Sequence, residues 1–189
     1  LLRIQQSHRL STAIMAYHEL SGPATALEAI RAARVEDAAT KTLGTMVGQL
    51  FGSYVVTDSG LEEELADPVV GKVATVRMRL QLSMGAEDYQ RTQAELRDLV
   101  ALRNGLVHHF IDHHDLWSVQ GCRSAQEALV GAYSRIDQHF EQLRGWAEHM
   151  DQARRLAAEF VQSSAFHELV VNGIAPDGSI DWAASGIVR

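Results

Sequence analysis

The stretch Leu102 to Asp115, LRNGLVHHFIDHHD, gathers one Arg, one Asn, four His and two Asp into fourteen residues. Three kinds of chemistry fit those residue types. The first is RNA cleavage by the strand's own 2′-hydroxyl. That reaction needs a base for the hydroxyl proton, an acid for the departing 5′-oxygen and a cation for the charge that builds on phosphorus. Histidine titrates near neutral pH and can serve as base or acid. Arginine keeps its charge in a planar fork suited to phosphate oxygens. Arg103 and His108 would carry those roles. Asn104 would hold the His108 ring or bond a phosphate oxygen, and no metal or other cofactor is required.

The second is a metal site. His109 and His113 stand four apart, a spacing that puts two imidazoles on one side of a helix, and Asp112 or Asp115 would add an oxygen. The His-Glu-x-x-His protease pattern is absent, because Phe110, Ile111 and Asp112 fill the gap. No second cluster supplies the other half of a site, though His139 and His149 are candidates. The third reading is structural: histidines at a helix C-terminus interact well with its dipole and orphan carbonyls. His113 and His114 suit it best.

Position on a helix constrains the first reading. Each residue advances about 100°, so Arg103 and His108 lie about 140° apart on a regular helix. They cannot close on one small group unless the helix ends or bends between them, where Gly105 permits it. A second copy of the chain about a two-fold axis would also bring Arg and His from both protomers into one cleft.

The elements that must position these residues read as helices. Arg3 to Leu20 forms a first helix closed by SGP. Pro23 opens a second, which runs to Val55 with a break near Thr40 to Gly44. TDSG (57–60) starts a loop, followed by an acidic segment. Asp67-Pro68 signals another start, and the run through Met84 is ambiguous. Val76 to Leu82, VRMRLQL, alternates like a strand, yet no second strand is evident to pair with it, so a helix is expected. From Gly85 a helix leads into the motif with Leu96, Leu99, Leu102, Leu106 and Phe110 along one stripe. The last helix, Ser124 to about Phe160, carries a seam of Leu129, Tyr133, Ile136, Phe140, Leu143, Ala147 and Met150. A helix that long leaves one end for a second chain or for the segment after it. Asn172 to Ser179 has the Gly, Pro, Asp and Ser of a linker, and Trp182 would need to dock to be ordered.

The bulk properties agree with a globular protein. The chain has 189 residues, 46% apolar and 22% charged, enough for one real core. Its single cysteine, Cys122, excludes an intrachain disulfide framework and a multi-cysteine zinc site. That usage suits a reducing compartment, hence the cytoplasm. No apolar run approaches the length of a membrane span and no signal peptide is evident. Without an initiating Met, the chain reads as a piece of something longer. A net charge of −7 argues against nucleic-acid binding through the whole surface. Charge is uneven, however. From Lys72 to Arg103 there are six bases (Lys72, Arg77, Arg79, Arg91, Arg97, Arg103) against four acids (Glu87, Asp88, Glu95, Asp98). Arg77, Arg79 and Arg97, with His109, are the expected guides for a phosphate backbone.

Arg103-Asn104-Gly105-Leu106-Val107-His108 resembles the Arg-Asn-x-x-x-His signature of HEPN domains, and the long helices on either side of it match their layout. The likeness covers roughly residues 85–160. It departs at Phe110, where several toxin members have Tyr, and the N-terminal helices offer nothing assignable to the family. The resemblance implies a bundle of four or five helices; with the elements read above, the expected fold is an all-α, HEPN-like bundle of four to six helices with two long antiparallel helices over residues 1–170, with 171–189 as linker or tail. It implies a homodimer with a composite site, and in active members a metal-independent endoribonuclease, often a toxin or defence effector. Arg103 and His108 would then be catalytic and Asn104 supporting. The alternative is a non-catalytic module that dimerises beside an RNA-binding domain. The tail, NGIAPDGSIDWAASGIVR, is similar to linkers ahead of OST-HTH (LOTUS) RNA-binding domains, which would place such a domain beyond this chain.

Overall fold

The computed structural model describes residues 2–58 and 75–172. Its contacts divide the chain into two units, Leu1–Met150 and Asp151–Arg189. The acidic segment, Asp67-Pro68 and the tail with Trp182 lie outside the described residues.

The first unit is mostly helical. Helix α1 (Leu2–Tyr17) buries Ile4, Ser7, Ser11 and Ile14, a row at alternating three- and four-residue spacing. Its two buried serines need no outside partner. Ser7 Oγ donates to the Arg3 carbonyl at 2.9 Å and Ser11 Oγ to that of Ser7 at 3.0 Å, which satisfies them on their own helix. Helix α2 (Leu27–Ala39) and helix α3 (Leu43–Ser53) are separated by the expected break. Thr42 caps α3, its Oγ1 accepting from the Thr45 N–H at 3.2 Å. Regular helical backbone stops at Leu50: Phe51 takes an extended ψ of 127° and Gly52 a left-handed φ of 90°.

Four short strands correct the helical expectation. Strand β1 (Glu19–Pro23) pairs antiparallel with β3 (Thr75–Arg79), Leu20 opposite Met78. Strand β2 (Val55–Thr57) pairs in parallel with β4 (Leu82–Met84). The alternation in VRMRLQL was therefore a strand signal. Its partners are residues assigned to helix ends: Glu19 and Leu20 leave α1 as strand, and Val55 leaves α3 the same way. Short pairs survive because a core lies beside them, Val55 being fully buried and Leu80, Leu82 and Met84 packing against the main apolar cluster.

Helix α4 (Ala86–Asn104) presents Thr92, Leu96 and Leu99 inward. A five-residue π-helical turn, Gly105–His109, follows, then a single turn α5 (Phe110–His113). Helix α6 (Val119–Val161) is longer than expected at its start. The Asp115 carboxylate accepts from the Trp117 N–H at 3.0 Å and Ser118 Oγ from the Gly121 N–H at 3.0 Å. These bonds satisfy backbone donors that would otherwise be orphans at the helix start.

The core joins Ile14, Leu50, Val55, Leu96 and Leu99 to Ile136, Leu143, Trp146 and Met150 of α6. Each such side chain contributes about 1.5–3 kcal/mol on leaving water. Arg3 adds a polar tie to α6, its Nε 2.9 Å from Asp137 and its guanidinium 4.2 Å above the Phe140 ring. The expected α6 seam holds from Ile136 onward but fails before it. Leu129 and Tyr133 are exposed, while Ala125 and Ala132 are buried instead. Small residues let a neighbour approach there, and the large ones face out.

In the second unit, α6 runs to Val161 and helix α7 (Ser164–Asn172) follows. Ser163 Oγ accepts from the Phe166 N–H at 3.2 Å, and the Phe160 and Phe166 rings meet edge to face at 5.6 Å. No described helix is long and apolar enough to cross a membrane.

Candidate functional site

Arg103 lies in the last turn of α4, which ends at Asn104 because the helix widens there, not because it breaks. Gly105 keeps right-handed helical angles, φ −57° and ψ −47°. In the π turn, hydrogen bonding runs from residue i to i+5, so residues five apart become neighbours. The 140° separation expected of a regular helix is thereby removed. Arg103 Nη1 lies 3.3 Å from His108 Nε2 and 2.9 Å from Asn104 Oδ1.

The donor is unambiguous, since a guanidinium has only N–H groups to offer. In this contact His108 therefore accepts at Nε2. Asn104 holds Arg103 rather than the His108 ring. His108 and Asn104 are exposed and Arg103 is half-buried, so all three can be reached from solvent. Among the described residues no acid pairs with Arg103. Its guanidinium is held by two neutral groups and keeps its charge for a ligand.

Of the other candidates, only His109 touches this trio among the described residues. His109 packs against His108 edge to face at 6.3 Å and stacks on His113 at 6.0 Å, with Asp112 3.7 Å away. Phe110 lies against His114, their ring centres 4.6 Å apart. Among the described residues no group of three or more His, Cys, Asp or Glu is gathered as a metal site would require. Arg97 is exposed on α4, six residues before Arg103 and about 120° round the helix from it. Arg77 and Arg79 are exposed on β3.

Arg103 and Asn104 also line a cleft of about 600 Å³ that holds none of Arg77, Arg79 and Arg97. Its other walls are α1, with His8 and Arg9, and the α2–α3 turn, with Lys41 and Thr42. His8 Nε2 donates to the Lys41 carbonyl at 2.8 Å, tying the two walls together. These residues had no signal in the sequence. Nothing in the spacing of His8, Arg9 and Lys41 relates them to a motif some sixty or more positions later.

A second cavity, about 320 Å³, lies between α1, α2 and α3. His18 and Gln49 line it, and His18 Nε2 and Gln49 Oε1 are buried without a hydrogen-bond partner among the described residues. The other ring nitrogen, Nδ1, donates to the Met15 carbonyl at 3.0 Å. Burial holds the His18 pKa below its ordinary value. It does the same to His139 on α6, against an opposing pull from Glu95. Tyr54 is pushed up to about 12 by burial, and its hydroxyl donates to the Trp146 carbonyl at 3.3 Å. The Ser118 hydroxyl, then the Trp117 N–H, hold Asp115 below the usual carboxylate range.

Comparison with protein-family models, with curated protein sequences and with solved structures gives no match.

Proposed function

We propose that the chain is a metal-independent endoribonuclease of the HEPN type, working as a homodimer with a composite site. The observation that carries this reading is the exposed Arg103–His108 pair, 3.3 Å apart and braced by Asn104. A neutral imidazole with its Nε2 lone pair turned to a cation is the form a general base needs. An incoming phosphate would draw the Arg103 N–H groups to its non-bridging oxygens and free that lone pair.

His108 of one protomer then takes the 2′-hydroxyl proton as the O2′–P bond forms. The P–O5′ bond breaks, and a protonated His108 of the other protomer gives its proton to the leaving oxygen. The products are a 2′,3′-cyclic phosphate and a 5′-hydroxyl. Arg103 offsets the charge on phosphorus throughout. The dimer is supported by apolar side chains near the motif that face solvent: Ile111 is 75% exposed and Trp117 100%.

The test is cleavage of RNA by wild type, Arg103→Ala and His108→Ala, each with and without EDTA. Wild type should cleave equally with and without EDTA, and each variant should lose about 10²–10⁴ in rate. Equal cleavage by all three proteins would overturn the proposal. Absence of cleavage by wild type would leave the non-catalytic dimerisation module beside an RNA-binding domain.

A further inference from the structure

The cleft beside Arg103 is built from three elements distant in sequence, and its polar lining is cationic. Arg9, Lys41 and Arg103 supply the charge, beside the uncharged Gln5, Thr42 and Asn104 and the imidazole of His8, and no Asp or Glu lines it. This occurs in a chain of net charge −7 overall. Lys41 is held by Asp37, Nζ to Oδ2 at 2.5 Å, so its charge is partly spent. Arg9 is exposed and has no ion-pair partner among the described residues. Arg103 is shared with the His108 pair. The volume, about 600 Å³, falls within the roughly 300–1,000 Å³ of clefts that hold small-molecule ligands. Ile4, Leu43 and Val100 give it an apolar floor.

We propose that this cleft holds the phosphodiester backbone of single-stranded RNA next to the bond that is cleaved, with Arg9 as the principal phosphate contact. The inference rests on the ribonuclease reading for its choice of ligand. Arg103 then sits between two phosphates: one lies at His108 and its neighbour in the cleft. The strand enters over α1 and the α2–α3 turn rather than along β3. The tie from His8 to Lys41 fixes the spacing of those two walls, so the cationic groups are in place before RNA arrives.

Binding of a fluorescent 2′-O-methyl oligoribonucleotide tests this, because it lacks the nucleophilic hydroxyl and cannot be cut. Anisotropy would be measured over a range of salt for wild type, Arg9→Ala, Arg9→Lys and Arg91→Ala. Arg91 is twelve residues from Arg103 on α4, about 18 Å along the helix, and controls for the loss of one charge. Arg9→Ala should bind about tenfold more weakly, the loss of one charged hydrogen bond. Its slope of log K against log salt should be shallower by about 0.7. Arg9→Lys should restore the slope, and Arg91→Ala should match wild type. Urea unfolding of each variant would show that the fold is intact.

Equal affinity and slope in wild type and Arg9→Ala overturns the cleft, as does an equal loss in Arg9→Ala and Arg91→Ala. The two proposals fail separately. An Arg9 effect on binding without any cleavage of ordinary RNA keeps the cleft and sinks the ribonuclease. Cleavage that needs Arg103 and ignores Arg9 does the reverse.

Discussion

Arg103 and His108 touch within one chain, Nη1 to Nε2 at 3.3 Å, because a single π turn separates them. On a regular helix they would point about 140° apart. The need for a second protomer to bring Arg to His therefore disappears. What a second protomer would add is a second proton carrier.

The π turn does not depend on the flexibility of Gly105. Its backbone angles are those of any helical residue, and a Cβ built there meets nothing within 4 Å. Gly105→Ala should thus stabilise the chain by about 0.5–1 kcal/mol, through a less disordered unfolded state. Urea unfolding checks this. A loss of stability would mean that the turn requires a conformation only glycine takes.

Gly121 is the opposite case. A Cβ there would stand 1.8 Å from the Asp115 carbonyl oxygen and 2.7 Å from its carbon. Both are backbone, so the turn that starts α6 must move. Gly121→Ala should cost about 1–3 kcal/mol and release the Trp117 N–H from Asp115. Thermal unfolding and amide exchange at Trp117 would read the two effects, and a stable variant with Trp117 still protected would contradict the geometry.

Two buried histidines set a dependence on pH. His18 and His139 both have folded-state pKa values below 6.5, chiefly through burial. Above pH 6.5 the ring is neutral folded or unfolded, so neither residue affects stability. Below it the unfolded chain takes up protons that the folded chain refuses, and stability falls until the folded pKa is reached. The melting temperature should drop as the pH falls through about 6.5, and His139→Gln should flatten the fall. An unchanged profile in that variant would remove His139 from the account.

Leu129, Val130 and Tyr133 are 46%, 63% and 58% exposed on α6. If these cover one another across the proposed dimer, Val130→Glu should give a monomer in sedimentation velocity, where wild type gives a dimer. The same variant should lose cleavage while its folded stability stays within about 0.5 kcal/mol of wild type, as at other surface sites. A monomeric wild type would remove the composite site from the proposal.

Trp146 and Tyr54 tie α6 to the end of α3, with ring centres 6.4 Å apart and the hydroxyl on the Trp146 carbonyl. Tyr54→Phe should cost about 1 kcal/mol, measured by denaturant unfolding. No measurable loss would mean that water replaces the bond.

Much of this protein was legible in order of residues alone. Leu96 and Leu99 at helical spacing, the break before Thr42 and the inward run from Ile136 to Met150 follow from periodicity and capping, which act over one or two turns. Arg103, Asn104 and His108 stood out as a constellation for the same reason: their spacing is local. Strand pairing is not local. VRMRLQL alternated as a strand does, but its partners, Glu19–Pro23 and Val55–Thr57, carry too few residues to announce themselves. Only the packed core beside them makes such short ladders stable. The π turn was equally hidden, since it shifts the helical phase through the whole chain's packing rather than through any residue that demands it. The cleft required the fold most of all. His8, Arg9 and Lys41 meet Arg103 only because α1, the α2–α3 turn and the end of α4 pack around one set of buried leucines and isoleucines.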